Sequence, residues 1–290
     1  MTALREAARA KLNLTLEVKG RRADGFHEIE SLAAFAGVGD VVELELQDRL
    51  ELVTEGPFAD ALGGDNLIMR AAEAARAVNP GLRLGRFRLI KELPVAAGLG
   101  GGSADAAAAL RLIARANGGA PSQSELAELA LKLGSDVSVC LTSRPALISG
   151  RGEKVELVRG VPSCGVLLAN PGLPLATAAV YAALNAAPLR KSPGGAPTAP
   201  DFGGSFESLV AYLAPRGNDL EAAAARLAPV IREVLASLTG LHGARIARMS
   251  GSGPTCFALF ATEAEAERGA ETLAASHPLW WIAASTLQSS

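Results

Sequence analysis

The sequence predicts an α+β fold, and three observations carry that prediction. Alternating strand patterns open the chain and recur up to residue 95. Helical periodicity fills 101–134. After residue 164 the order is strand, several helices, then strand, strand, helix, strand. Strands and helices thus come in runs and not in strict alternation, which favours an antiparallel or mixed sheet covered on one side. The length of 290 residues, at roughly 150 residues per domain, allows two domains or one large one.

Each element has its own signal. In AKLNLTLEV (10–18), Leu12, Leu14, Leu16 and Val18 share one face of a strand and Lys11, Asn13, Thr15 and Glu17 the other. DVVELELQ (40–47) and ELVTEG (51–56) are further strands, and DNLIMRAAEAARAV (65–78) a helix with Asp65 placed to cap it. GRFRLIKELPV (85–95) alternates again. SQSELAELALKLG (122–134) is a helix with a Ser122–Glu125 capping box, an apolar stripe of Leu126, Leu129, Ala130 and Leu133, and Gly134 at its end. PALISGRGEKVELV (145–158) predicts a hairpin around Gly150 and Gly152. CGVLLANP (164–171) is a buried strand and ATAAVYAAL (176–184) a helix. The Pro- and Gly-rich stretch 188–204 is expected to be a mobile surface loop. Helices follow near 206–214 and 219–239, then two strands around Gly251-Ser252-Gly253, a helix in TEAEAERGAETLAAS and a last strand in LWWIAAST.

Composition excludes several function classes. Hydrophobic content of 49% and charged content of 20% are those of a soluble globular protein. A net charge of -2 gives no electrostatic footprint for nucleic acid or an anionic membrane, so any polyanionic ligand must be held by a local site. Cys140, Cys164 and Cys256 form no CxxC pair, and His27, His242 and His277 are dispersed, so no metal site with the usual spacing can be drawn. The N-terminus carries Arg5, Glu6, Arg9 and Lys11 where a signal peptide needs an apolar run, and no apolar stretch reaches membrane-spanning length. With few cysteines, the expected compartment is the cytoplasm.

The most informative stretch is PVAAGLGGGSADAAAALRLIA (94–114). Gly98, Gly100, Gly101 and Gly102 bare the backbone just before an alanine-rich helix. A helix N-terminus offers unpaired N–H groups and the positive end of the macrodipole, and flanking glycines let a bulky anion approach. A tight strand-to-helix turn would need one glycine, so four make a phosphate cradle the better reading. Ser103 is a good N-cap candidate, and its hydroxyl could also touch a phosphate or a metal ion. The loop is not a Walker A motif, because no lysine precedes Ser103. It is not a dinucleotide-binding fingerprint either, since Ser103 takes the third glycine's place and a helix follows where a strand is required.

GLGGGSADAA behind Pro94 resembles the nucleotide-binding motif of the GHMP kinases. AKLNLTLEVKGRRADGFHEIESL (10–32) and MSGSGPTCFALF (249–260) resemble the family's two other shared segments. GRRADGFHEI, KLGSDVSVCL (132–141) and GNDLE (217–221) are similar to those members whose substrate is a cytidine diphosphate derivative of a methyl sugar alcohol. The resemblance spans about residues 8–260. It implies a ribosomal protein S5 domain 2-like N-terminal ATP-binding domain (1–160) and a ferredoxin-like C-terminal domain (161–290). It also implies ATP with Mg²⁺, a small-molecule substrate, and a monomer or homodimer. The readings left open are a GHMP kinase for another alcohol, of homoserine or mevalonate type, and a nucleotide-binding module without catalysis.

Residue by residue, the resemblance places ATP on Pro94, Val95, Ala96, Ala97, Gly98, Leu99, Gly100, Gly101, Gly102, Ser103 and Ala104. Position 104 commonly carries a second serine in the family, and Ala104 leaves only its backbone N–H. Asp136, alone a plausible cap of VSVCL, becomes a general base for the attacking hydroxyl. Lys11, alone a solvated lysine, would lie beside it and stabilise the alkoxide or the transferring phosphoryl group. Asn13 would bind the substrate's hydroxyls or the Asp136 region. His27 would read the cytosine edge, with Phe26 stacked on its face where the family usually has tyrosine. Tyr181 is either a second stacking ring or core packing. Asp105 has a cap role or a substrate or metal role. Lys91 and Asn66 resemble positions near the adenine pocket, and Gly251-Ser252-Gly253 a second glycine loop.

Overall fold

The computed structural model describes residues 3–189 and 198–289. In chain order its elements are β1 (Leu4–Asn13), β2 (Glu17–Arg21), β3 (His27–Leu46), β4 (Glu51–Glu55), α1 (Leu67–Val78), β5 (Gly85–Ile90), α2 (Gly101–Ala116), α3 (Gln123–Leu133), α4 (Ser135–Thr142), β6 (Ala146–Gly150), β7 (Lys154–Leu157), β8 (Cys164–Asn170), α5 (Thr177–Leu184), α6 (Phe206–Leu213), α7 (Glu221–Leu227), α8 (Val230–Thr239), β9 (Ile246–Met249), β10 (Cys256–Phe260), α9 (Glu263–Ser276) and β11 (Trp281–Leu287). The α+β class holds, with a mixed sheet: β4 and β5 pair in parallel and the other registered pairs are antiparallel.

The chain forms two compact units. One comprises 1–10, 39–95 and 100–143; the other comprises 11–38, 96–99 and 144–290. In the first, the end of β3 pairs with β5 (Leu44 opposite Phe87) and β5 with β4, while α1, α2, α3 and α4 pack on one another. Helix α2 is buried without a break from Ala104 to Leu110. A helix buried all round needs small side chains so that neighbours can approach from every direction, and the alanine run supplies them.

In the second unit the strands run β11–β8–β10–β9, with Ala258 of β10 between Leu167 and Ala247. In chain order these are strands four, one, three and two, with helices after the first and third. That is the split βαβ arrangement of a ferredoxin-like domain. β8 is buried along its whole length, so it reads as a continuous apolar run and not as an alternation. Helix α8 sets Ile231, Val234 and Leu238 into this core, each worth roughly 1.5–3 kcal/mol of transfer free energy.

Several expectations need correcting. The strand expected over 10–18 breaks after Asn13, and both of its faces are buried: Lys11, Asn13 and Thr15 are as enclosed as Leu12 and Leu14. Alternation here separates two buried faces, so Lys11 is no solvated lysine. The strand expected at 40–47 is the end of the twenty-residue β3. Asn66, not Asp65, caps α1, its Oδ1 accepting the Ile68 N–H at 2.9 Å. The helix expected over 219–239 is two, α7 and α8, divided at Ala228–Pro229, because proline cannot donate within a helix interior. The capping box of α3 and its end at Gly134 are present as read. Of the expected loop at 188–204, residues 190–197 lie outside the described residues; Leu189 N–H donates to the Arg21 carbonyl at 2.7 Å.

Candidate active site

The glycine stretch folds as a chain of left-handed residues. Ala96, Gly98 and Gly100 have φ of 53°, 77° and 62°. Alternation of this kind makes a backbone concavity lined by N–H groups, which suits an anion. Gly100 is the N-cap of α2, so Ser103 is not: it is the third helical residue, partly exposed, and makes no capping bond. The first helical N–H to find a backbone acceptor is Ala104, on the Gly100 carbonyl at 2.8 Å. The N–H groups of Gly101, Gly102 and Ser103 are the orphan donors of the helix end.

The carbonyls fix the path of the loop. Ala97 O accepts from Thr255 N (3.2 Å), Gly98 O from Ser250 Oγ (3.0 Å) and Leu99 O from Lys11 N (2.9 Å). The second glycine loop therefore lies against the first. A Cβ on Gly98 would sit 2.8 Å from Gly253 N, so only glycine fits. Ser250 Oγ also accepts the Asn13 N–H at 3.2 Å. Asn218 braces this turn, its Nδ2 donating at 2.8 Å to both the Met249 and Gly251 carbonyls, and Thr177 Oγ1 meets Ser252 Oγ at 2.8 Å. Asn13 Nδ2 donates to Ser31 Oγ at 2.7 Å.

Beneath the start of α2 sits a buried ionic triad. Lys91 Nζ donates to Asp40 Oδ2 at 2.5 Å and to Asp105 Oδ2 at 2.8 Å. Asp40 is fully satisfied, because its Oδ1 accepts the Glu92 and Leu93 N–H groups. Asp105 is not: its buried Oδ1 has no partner. Burial raises its carboxyl to about 7 against the pull of the Lys91 ammonium. Burial alone would lower Lys91, but the two carboxylates outweigh it and raise it. Asp105 is thus neither a cap nor an open metal ligand, and Lys91 is committed to this triad.

Asp136 lies in the first turn of α4. Gly134 occupies the cap position, so Asp136 is not the cap that its sequence context permits.

Phe26, His27 and Tyr181 line one cleft of about 650 Å³, with Arg21 and Arg151 beside them. The His27 ring stacks on Tyr181 with centroids 4.7 Å apart. Burial, with a lesser push from Arg21, lowers the imidazole pKa, so His27 is neutral at pH 7 and offers one donor and one acceptor. Phe26 is 55% exposed.

For Mg²⁺, the described residues hold no group of three or more His, Cys, Asp and Glu that could cage an ion. Mg²⁺ on a nucleotide needs no such cage, since phosphates and waters supply most ligands. The partly exposed Ser103 hydroxyl on the loop fits that role, and Asp105 does not. No helix among the described residues is long and apolar enough to cross a membrane.

Sequence reasoning assigned no individual role to Asp40, Ser31, Asn218, Ser250 or Arg248. Arg248 is buried and donates to the Leu14 carbonyl at 2.6 Å and the Arg216 carbonyl at 2.5 Å. Ser31, Asn218 and Ser250 stand inside the segments that carry the resemblance, whereas Asp40 and Arg248 stand outside them.

An orphan-donor helix end behind a glycine nest suits the phosphates of a nucleotide. The family of GHMP kinases N terminal domains matches residues 66–144, and that of GHMP kinases C terminal domains matches residues 202–278. The 4-diphosphocytidyl-2-C-methyl-D-erythritol kinase of Parvibaculum lavamentivorans is 50% identical over 281 residues, 96% of each chain. The enzyme of that name from Bradyrhizobium diazoefficiens is 48% identical over 99% of each chain. A crystal structure of 4-(cytidine 5'-diphospho)-2C-methyl-D-erythritol kinase superposes with a TM-score of 0.78 at 34% identity, covering 99% of this chain and 100% of that one. A homoserine kinase from Cytophaga hutchinsonii shares the fold, with a TM-score of 0.71 at 18% identity over 99% and 95%. The chain belongs to the GHMP kinases, and within them to the 4-diphosphocytidyl-2-C-methyl-D-erythritol kinase family.

Proposed function

We infer that this chain transfers the γ-phosphoryl group of ATP to the 2-hydroxyl of 4-diphosphocytidyl-2-C-methyl-D-erythritol, a step of the non-mevalonate route to isoprenoids. The observation that carries this reading is the 50% identity to a relative of that name over 96% of the chain. The cleft of Phe26, His27 and Tyr181 supports it, being lined with rings and a neutral imidazole able to read a pyrimidine edge.

In this reading Pro94 to Ala104 hold the ATP phosphates, with the N–H groups of Gly101 to Ser103 aimed at the charge that develops on the transferring group. The Ser103 hydroxyl would help hold Mg²⁺ on the nucleotide, and the ion would supply charge to offset the phosphates. Asp136 takes the proton of the 2-hydroxyl as that oxygen bonds to the γ-phosphorus and the bond to ADP breaks. Lys11 stabilises the alkoxide. Asn13 holds the substrate's hydroxyl end, His27 reads the cytosine, and Phe26 and Tyr181 flank it. The ATP-binding domain is 1–160 and the C-terminal domain 161–290. Three buried free thiols suit a cytoplasmic enzyme, working as a monomer or homodimer.

The test follows ADP release from ATP, Mg²⁺ and this substrate, with wild type and Asp136→Asn side by side. Turnover confined to the wild type is expected. Silence with this substrate but turnover of homoserine or mevalonate would move the chain to another branch. Silence with all three would leave a nucleotide-binding module, and an active Asp136→Asn would remove the base.

A further inference from the structure

The substrate cleft has a charge pattern that base recognition does not use. Its basic lining groups are Arg21, His27 and Arg151, the Tyr181 phenol is the other titratable group, and no carboxylate lines it. Nearby Arg22 is neutralised, because its Nη1 donates to Glu28 at 2.5 Å and its Nε to Asp24 at 3.3 Å. Arg21 and Arg151 have no ion pair among the described residues. Glu153, two residues on, accepts the Arg151 backbone N–H at 2.5 Å. The Arg151 guanidinium instead lies on the Phe26 ring, 4.9 Å from its centroid. A guanidinium on an aromatic face keeps its N–H edge outward and its charge unspent. Arg21 ends β2 directly opposite His27 in the register of β2 and β3, so its place is fixed by the strand that carries the imidazole.

Two guanidiniums without ion pairs in a cleft lined by the Phe26, His27 and Tyr181 rings match one ligand chemistry: a planar ring joined to a short chain of phosphates. Arginine forks bind phosphate oxygens in pairs, which a point-charge lysine cannot copy. We propose that Arg21 and Arg151 clamp the diphosphate of a pyrimidine nucleoside diphosphate, with the Phe26 ring as the platform that aims Arg151. This rests on reading the cleft as the cytidine diphosphate site. It gives Phe26 a second task, the support of a cation that a neighbouring loop supplies. It also makes the diphosphate, and not the base alone, a determinant of which alcohol this kinase accepts.

The test titrates cytidine, CMP and CDP into wild type, Arg21→Ala, Arg151→Ala, Arg151→Lys and Phe26→Leu by calorimetry, with ADP in excess to saturate the glycine loop. Wild type is expected to bind CDP about tenfold or more tighter than cytidine, the gain from charge-assisted bonds. Arg151→Ala and Arg21→Ala should shrink that ratio while cytidine binding stays put, which also reports that each variant is folded. Arg151→Lys should recover part of the ratio. Phe26→Leu should lower both affinities. In turnover, KM for the cytidine diphosphate substrate should rise about tenfold in Arg151→Ala, with kcat unchanged. A CDP preference that both alanine variants keep would remove the clamp and leave the cleft reading standing. A wild type that binds neither cytidine nor CDP would remove both.

Discussion

Ser250 Oγ donates to the Gly98 carbonyl at 3.0 Å and in the same position accepts the Asn13 N–H at 3.2 Å. One fully buried hydroxyl thus fastens the first glycine loop to the strand that carries Lys11 and Asn13. Ser250→Ala strands two backbone groups away from water, at roughly 1–3 kcal/mol. Denaturant unfolding should show that loss, and KM for ATP should rise more than KM for the alcohol. Equal effects on both would mean that the bond merely supports the fold.

Gly98→Ala places a methyl group 2.8 Å from Gly253 N at a φ of 77°. The strained backbone alone costs of order 1–3 kcal/mol, and the contact forces the two glycine loops apart. Gly102→Ala is the comparison. Its Cβ would meet only the Leu67 Cδ1 at 3.6 Å, inside a helix, where alanine is favoured by up to about 1 kcal/mol. Melting temperatures should therefore move in opposite directions. A Gly98→Ala protein as stable as wild type would contradict the geometry.

Asp105 makes stability depend on pH. Its carboxyl rises from 3.8 to about 7 on burial, so the fold favours the protonated form. That contribution is full below 3.8 and is lost as pH climbs through 7. Asp105→Asn keeps a neutral side chain at every pH. Urea unfolding at pH 5 and pH 8 should show wild type losing stability relative to this variant at the higher pH. A constant difference would mean that Asp105 stays ionised in the folded chain.

Cys140, Cys164 and Cys256 are buried free thiols, and burial pushes Cys164 up to about 12 and Cys256 up as well. Only thiolates react quickly. A chromogenic disulfide reagent at pH 8 should label none of them in the native protein and all three in urea. Fast labelling before unfolding would place a thiol at the surface.

Much of the fold was legible because local rules decide it. The Ser122–Glu125 box sits at the start of α3 as its spacing requires, and the strand–strand–helix–strand order near the C-terminus became β9, β10, α9 and β11. The glycine loop was legible for a similar reason, since only a close backbone approach explains Gly98. What failed was what tertiary packing decides. Lys11 and Asp40 show nothing in their neighbours that marks them as buried, and each is enclosed by residues far away in sequence. Ser103 lost the cap because Gly100 bends the chain three residues earlier. The cleft pair Arg21 and Arg151 was unreadable too, because 130 residues of chain separate two arginines that line one recess.

Neither compact unit is a continuous piece of chain. β3 leaves one at Val38 and enters the other at Gly39, and β8 is flanked on its outer side by β11, whose Leu287 also pairs with Ala36. A ribosome making this chain therefore releases Ala36 long before its partner Leu287 exists. Glu17 to Arg21 can pair with His27 to Glu30 at once, and Ile29 to Ala33 once residues 146–150 emerge, but Ala36 and the β11 side of β8 wait for residues 281–287. High contact order of this kind slows folding and lengthens exposure to aggregation. Losing β11 to a nonsense codon would accordingly be felt at the N-terminal strands, at the far end of the gene.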